Sequence, residues 1–258
     1  MVTAQDIIPI AREAGKRILS FYRKESAVLE EKSDGTFVSP LTEADLAANT
    51  YIVAALTKLD PTIPIISEEV VATPFAERKH WTTFWCVDPL DGTKEFIKGR
   101  DEFTVNIGLI KDGTPILGVI YAPALDILYY ADAQGAYKQV GKDAPVSLPL
   151  SLPAKDPRML VVVTTKSHMN DATRNFLGKL EREGNTIQTT AIGSSLKFCL
   201  VAEGTADLYP RYGPVMEWDT AAAHAILLAT GKQARLIATG EVLSYNKEDL
   251  HQQPFMVK

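Results

Sequence analysis

Acidic residues recur in this chain where apolar runs stop. Ser67-Glu68-Glu69 follows Ile63-Pro64-Ile65-Ile66, and Asp88-Pro89-Leu90-Asp91-Gly92-Thr93 follows the run Phe84 to Val87. A third acid stands in Trp218-Asp219-Thr220, ahead of an alanine-rich segment. Each apolar run reads as a strand that delivers carboxylates at its carboxyl end. Asp88 and Asp91 are close enough to repel, and either a proton or a cation must relieve them. Nothing in the segment looks apolar enough to favour the proton, and a hard divalent cation suits oxygen ligands. Carboxylates with a backbone carbonyl, such as that of Leu90, suit Mg²⁺ or Mn²⁺ rather than zinc. Gly92 permits a sharp change of direction. Thr93 is expected to cap a helical turn through Phe96, whose first N–H groups would attract an anion. A cation site beside an anion site is what metal-assisted phosphate chemistry requires. Taken alone, the same segment also reads as an Asx-rich turn that caps a helix.

The elements around these acids follow from periodicity. Residues 3–24 carry Ile7, Ile10, Ala11, Ala14, Ile18, Leu19 and Tyr22 at helical spacing, with a start expected near Asp6 because Pro9 fits only a first turn. A short strand is expected over 27–32, a turn over 33–36, and a helix from Ser39-Pro40 to Leu59. Thr42 and Asp45 resemble a capping box with Asp in place of Glu. Asp45 is therefore either a cap or a carboxylate that orients a water. Pro89 lacks an N–H, so no sheet ladder is expected to continue through it. A polar connector is expected over 75–79, then an antiparallel meander from Phe103 to Val140 with a hairpin turn at 111–114. Residues 141–157 hold four prolines and little pattern, which marks a boundary between lobes. Beyond it, strands and helices alternate: 159–165 (buried on both faces), 171–183, 186–190, 196–202, 206–209, a helix over 221–229, and shorter strands in the tail. Asp219 would be the N-cap of that last helix.

Composition narrows the function classes. A chain of 258 residues with net charge −5 has no general affinity for nucleic acid polymers or anionic membranes, although a bound metal can still attract an anionic substrate. Cys86 and Cys199 sit in apolar stretches, as expected for buried, reduced thiols. The histidines, His80, His168, His224 and His251, show no metal-ligand spacing and read as surface or packing residues. There is no P-loop, nucleophile elbow or dinucleotide fingerprint. The amino terminus carries no signal-like pattern, and no apolar run is long enough to predict a spanning helix.

In order and separation, Ser67-Glu68-Glu69, Asp88-Pro89-Leu90-Asp91-Gly92-Thr93 and Trp218-Asp219-Thr220-Ala221-Ala222 resemble the three signatures of the inositol monophosphatase superfamily, across essentially the whole chain. Within it, Asp91-Gly92-Thr93-Lys94-Glu95-Phe96-Ile97, Phe103-Thr104-Val105-Asn106-Ile107 and Gly193-Ser194-Ser195-Leu196-Lys197-Phe198-Cys199 resemble the CysQ-type 3′(2′),5′-bisphosphate nucleotidases. The inositol enzymes usually carry a second Thr and an Asn where Lys94 and Glu95 stand. The resemblance implies an α/β protein built as a layered αβαβα sandwich. An α+β first lobe with an antiparallel sheet (1–150) would carry most metal ligands, and an α/β second lobe (151–258) would complete the site. It implies Mg²⁺-dependent removal of the 3′-phosphate of adenosine 3′,5′-bisphosphate, and action on 3′-phosphoadenylyl sulfate, in sulfur metabolism.

Site roles are carried by the same resemblance. Glu68, Asp88 and the Leu90 carbonyl would hold one Mg²⁺, and Asp88, Asp91 and Asp219 a second. Glu68 would also touch a looser third ion, and Mn²⁺ would substitute. Catalytic roles fall to Asp45, Thr93 and Glu68, with Asp45 and Thr93 orienting the attacking water. Substrate contacts fall to Leu90, Asp91, Gly92, Thr93, Lys94, Gly193, Ser194, Ser195, Lys197 and Asp219, with Glu69 and Arg211 as lesser candidates. Ala223 departs from the Gly that such relatives often have. The expected partner is a small phosphorylated nucleotide, for a cytoplasmic monomer or homodimer, with peripheral attachment at the inner membrane left open. The alternatives are an inositol or sugar phosphate phosphatase and a catalytically inactive cation-binding regulatory protein.

Overall fold

The computed structural model describes residues 2–24, 28–33, 38–70, 73–165 and 169–258, with the backbone alone at 28–33 and 38–40. The expected turn at 33–36, beyond Ser33, and His168 lie outside the described residues.

Helix α1 (Ala4–Phe21) starts earlier than Pro9 suggested. Asp6 Oδ2 accepts the Thr3 N–H at 2.9 Å and the Thr3 hydroxyl at 2.8 Å, and the Ala4 N–H donates to Asp132 at 2.9 Å. These bonds, with the burial of Ala4 and Ile7, outweigh the one bond that Pro9 cannot donate in the second turn. Strands β1 (Val28–Ser33) and β2 (Val38–Thr42) pair antiparallel. Ser39 to Leu41 are therefore strand, and α2 (Glu43–Leu59) begins after Thr42, where the capping box with Asp45 put it. Next come β3 (Ile65–Ser67), α3 (Phe75–Arg78) where a connector was expected, and β4 (Thr83–Asp91). The chain continues through α4 (Thr93–Ile97), β5 (Thr104–Lys111), β6 (Thr114–Ala122), β7 (Ile127–Asp132), β8 (Gly135–Val140) and β9 (Val146–Ser147). The proline-rich stretch thus contributes an edge strand. Strands β3 to β9 form one sheet in chain order, parallel between β3 and β4 and antiparallel elsewhere.

The rest alternates: β10 (Met159–Thr164), α5 (Asp171–Arg182), β11 (Thr186–Ala191), α6 (Leu196–Glu203), β12 (Tyr209–Arg211), β13 (Val215–Met216), α7 (Glu217–Ala229), β14 (Ala234–Leu236), β15 (His251–Gln252) and β16 (Phe255–Val257). Strands β10 and β11 are parallel, and β12, β16 and β14 are neighbours in a second small sheet. Contrary to the expected burial of the whole strand, β10 is buried only from Val162 onward.

Two cores flank the large sheet. On one face, Ile7, Ile18, Ile52 and Leu56 of α1 and α2 pack with Trp85, Val105, Ile107 and Val119. Each such fully buried side chain contributes roughly 1.5–3 kcal/mol. Helices α6 and α7 cover the other face, the small sheets lie beyond them, and α5 packs outermost on β11. This is the αβαβα layering that the resemblance implied.

The seating of α7 matters most for the site. Gly108 and Gly118 pair across β5 and β6. A Cβ on Gly118 would lie 2.1 Å from the Ala222 carbonyl oxygen, and one on Gly108 2.9 Å from the Ala222 nitrogen. Two glycines opposite Ala221 and Ala222 therefore let the helix backbone rest directly on the sheet. That contact fixes where Asp219 lies relative to β4.

Candidate active site

Strand β4 brings Asp88 and Asp91 to one place through a bulge. Its ladder with β5 runs to Asp88 opposite Asn106, skips Pro89 and Leu90, and resumes with Asp91 opposite Thr104. The ladder is interrupted at Pro89 rather than ended there, because a bulge tolerates a residue without an N–H. In a regular strand, residues three apart point to opposite faces. The extra residue puts both aspartates on the face of Asn106 and Thr104. Asp88 Oδ1 also accepts the Leu90 N–H at 3.0 Å. Gly92 then takes a left-handed φ of 91°. It, and not Thr93, occupies the cap position, and Thr93 is the first residue of α4.

Two further acids arrive from helix starts. Asp219 is the third residue of α7, which begins at Glu217 and not at Ala221. Its Oδ2 accepts the Met216 N–H at 2.7 Å. Asp45 is likewise the third residue of α2. Its Oδ2 accepts the Thr42 N–H at 2.8 Å and the Thr42 hydroxyl, while Oδ1 lies 3.4 Å from Thr93 Oγ1. One oxygen of Asp45 thus serves the cap and the other faces Thr93. The Thr93 hydroxyl is also 3.2 Å from the Leu90 carbonyl, so its one proton is divided between two acceptors.

The carboxylate oxygens of Asp88, Asp91 and Asp219 lie within 4.8 Å of one another. Among the described residues, no Lys or Arg forms an ion pair with any of them. Burial, then Glu68, Asp91 and Asp219, pushes the Asp88 carboxyl well above its ordinary range. Burial and then Asp91 raise Asp219 to about 6. Asp91 is raised by burial and held back by Lys197, by the Ser195 backbone N–H and by Asn106. Without a cation, burial and the neighbouring carboxylates therefore favour a proton on Asp88 and Asp219, unlike the expectation from sequence. A divalent cation relieves the same repulsion, and a convergent, oxygen-only donor set, with Asp88 buried and Asp91 and Asp219 half-buried, fits Mg²⁺ or Mn²⁺.

A cleft of ≈ 670 Å³ opens over the cluster. Glu68, Leu90, Gly92, Thr93 and Lys94 line it with the three aspartates, and Gly193, Ser194, Ser195, Lys197 and Arg211 line it from the second half of the chain. Asp45 and Glu69 are not in its wall, and Asp45 stands behind Thr93. The Gly193 N–H donates to Glu102 Oε2 at 2.9 Å, and a Cβ there would lie 2.8 Å from the Glu102 carbonyl oxygen. Ser194 holds a positive φ of 50°. The Lys197 ammonium is pushed down to about 8 by burial, against the pull of Asp91. Arg211 is braced by the carbonyls of Gly213 and Pro214 at 3.1 and 3.0 Å.

The sequence reading gave no role to Asn106 or Thr104, which connect to Asp91, or to Tyr209, Tyr212 and Trp218 in the cleft wall. A signal was present: Thr104 and Asn106 alternate with Val105 and Ile107, and polar residues on a strand buried on both faces need partners. Of the histidines, His80 is exposed, His224 is buried 3.1 Å from the Tyr245 hydroxyl, and His251 borders the cleft. Cys86 and Cys199 are free thiols in the core.

The sequence profile of the inositol monophosphatase family matches residues 2–257. The chain belongs to the inositol monophosphatase family. Curated relatives carry one name. The protein called 3′(2′),5′-bisphosphate nucleotidase CysQ in Salmonella typhimurium is 46% identical over 88% of this chain and 87% of its own length. Its namesake in Buchnera aphidicola is 43% identical over 93% of this chain and 86% of its own length. Among solved structures, CysQ from Bacteroides thetaiotaomicron, described as a bacterial member of the family, superposes with a TM-score of 0.87. It is 41% identical, over 99% of this chain and 96% of that one. An inositol monophosphatase from Thermotoga maritima shares the fold at TM-score 0.73 and 24% identity, over 97% of this chain and 89% of that one. The family is metal-dependent, and the convergent aspartates provide a group that could bind metal.

Proposed function

We propose that this chain is a Mg²⁺-dependent 3′(2′),5′-bisphosphate nucleotidase. It removes the 3′-phosphate of adenosine 3′,5′-bisphosphate to give AMP and phosphate, and acts in the same way on 3′-phosphoadenylyl sulfate. The observation that carries the reading is the convergence of Asp88, Asp91 and Asp219 at the floor of one cleft, in a chain 46% identical to a relative named for this activity. The cleft lies in the size range of small-molecule sites. Its apolar wall of Tyr209, Tyr212 and Trp218 can accommodate a base, and Lys197 and Arg211 supply positive charge for a second phosphate. A smaller, uncharged polyol would use none of these.

Glu68, Asp88, the Leu90 carbonyl, Asp91 and Asp219 would hold the divalent cations, which supply charge neutralisation at the phosphate and Lewis-acid activation of water. The remaining work falls to the chain. As the new P–O bond forms and the bond to the ribose 3′-oxygen breaks, Thr93, which faces the cleft, accepts the attacking water's proton at Oγ1 while its own moves to Asp45 Oδ1, 3.4 Å away. The departing oxygen takes a proton from solvent. The other Asp45 oxygen stays fixed by Thr42, which keeps Oδ1 turned toward Thr93. The Gly92 and Thr93 backbone holds the scissile phosphate, and the first lobe (1–150) supplies all of these groups except Asp219. The second lobe (151–258) closes the site through Asp219, Ser194, Lys197 and Arg211. We read the chain as a cytoplasmic monomer or homodimer acting on a diffusible nucleotide; no helix of the described residues is long and apolar enough to cross a membrane.

Phosphate release from adenosine 3′,5′-bisphosphate and from inositol 1-phosphate, each with Mg²⁺ and with EDTA, tests the reading. Strong preference for the nucleotide, abolished by EDTA, is expected. Preference for the inositol ester would keep the metal site and overturn the substrate. Release unaffected by EDTA would overturn the metal site.

A further inference from the structure

A chain of hydrogen bonds runs from Thr104 through Ser195, in the second half of the protein, and Asn106 to Asp91, and every proton in it points the same way. Asn106 Nδ2 lies 3.4 Å from Asp91 Oδ2. An ionised carboxylate only accepts, so the amide must present its NH₂ to Asp91 and turn its oxygen away. That oxygen receives the Ser195 hydroxyl at 2.8 Å. Ser195 Oγ has then spent its proton, so the Thr104 hydroxyl, 2.9 Å away, donates to it. Thr104, Asn106 and Ser195 are each no more than 3% exposed, so water cannot readily replace a missing partner.

We infer that Ser195 and Asn106 are positioning residues for the cation site, acting on Asp91 and not on substrate. Resting on the metal site proposed above, this assigns Ser195 a role other than the substrate contact expected from sequence. Ser195 Oγ holds the Asn106 amide in the one orientation that offers Asp91 a donor. If Asn106 flipped, two oxygens would face each other across 3.4 Å. Ser195 immediately precedes α6, whose first turn carries Lys197 into the cleft, whereas Asn106 and Asp91 belong to the large sheet. The same serine therefore couples the placement of the second-half cleft wall to the geometry of a metal ligand.

The test is Mn²⁺ affinity of the full chain, measured by the loss of free-ion EPR signal, with the unfolding midpoint in EDTA recorded in parallel. Partners of metal ligands typically alter affinity by about 10- to 100-fold. Asn106→Leu should weaken Mn²⁺ binding by about that factor, and Ser195→Ala should weaken it less, in the same direction. Because the Ser195 hydroxyl acts through Asn106, the double variant should bind no more weakly than Asn106→Leu alone. Unchanged affinity in both single variants, or additive losses in the double variant, would overturn the proposal. If Asn106→Leu does not fold, Ser195→Ala and Asn106→Ser carry the same comparison. Saturable Mn²⁺ binding must also lose at least one site in Asp91→Asn. Its absence from the wild type would overturn the metal site and the proposal together, whereas wild-type binding that ignores Asn106 and Ser195 overturns the proposal alone.

Discussion

Asp6 and Asp219 make the same local bond in opposite surroundings. Each is the third residue of its helix, and each turns one carboxylate oxygen back to the N–H of the residue before the helix, at 2.9 and 2.7 Å. Asp6 lies on the surface, and the Thr3 hydrogen bonds hold its carboxyl below the ordinary value. Asp219 is enclosed beside Asp88 and Asp91, and burial raises it to about 6. Asp45 repeats the device in a buried place, with its free oxygen toward Thr93. The cap is set by residues within four positions. What the second oxygen meets is set by packing from distant parts of the chain, and only there does the aspartate become available for chemistry.

Substitutions should separate the two settings. Asp219→Asn keeps a capping oxygen and removes the charge, so activity should fall by about 10³-fold or more, as expected when preorganised electrostatics at a reacting phosphate is lost. In EDTA the same variant should melt above the wild type, because a buried repulsive charge is gone. Asp45→Asn leaves the cations alone and removes the proton acceptor behind Thr93, so a loss of about 10²-fold in kcat with little change in KM is expected. Gly118→Ala forces a Cβ toward the Ala222 carbonyl and should cost about 1–3 kcal/mol by overpacking, read by urea denaturation, with weaker apparent Mg²⁺ affinity as α7 lifts Asp219. Asp6→Asn should be smallest: a shift in thermal midpoint of about 2 °C or less, with activity intact.

The pH dependence of cation-free stability has opposite signs at the two sites. Asp219 has a folded pKa raised above 3.8 to about 6. Its contribution is therefore fully present below 3.8 and is lost as pH rises through about 6. Asp6 has a lowered folded pKa, so its contribution is present above 3.8 and is lost as pH falls below that value. Saturating Mg²⁺ should consequently raise the melting temperature more at pH 7 than at pH 5, and Asp219→Asn should shrink that difference. An equal Mg²⁺ effect at both pH values would count against charge relief by the cation.

The contrast also explains what was legible in the sequence. Asp88, Asp91 and Asp219 could be picked out because abrupt acids after apolar runs are visible one segment at a time, and the signatures they sit in recur in order. The meander from Phe103 to Val140 was legible because hairpin turns and period-two alternation are local. Helix starts were less so. The starts of α1 and α7 moved because the Asp6 and Asp219 caps lie upstream of the strongest periodicity. The strand over Ser39 to Leu41 was not legible because it rests on pairing with β1, a tertiary preference that no local pattern records. The bulge at Pro89 was invisible for a related reason, since only the β5 partner shows that pairing resumes at Asp91. Asn106 and Ser195 are 89 residues apart, and neither has a spacing that announces the other. The depth of burial around Asp88 was likewise underestimated, because it depends on α7 settling onto Gly108 and Gly118.

Anomalous scattering from crystals grown with Mn²⁺ would show whether the three convergent aspartates hold a divalent cation. Strong anomalous peaks are expected at the carboxylates of Asp88, Asp91 and Asp219, with the peak beside residue 219 lost in Asp219→Asn and Asp6 bare in the same map. An Mn²⁺-saturated crystal with no peak among the three aspartates would contradict cation binding there.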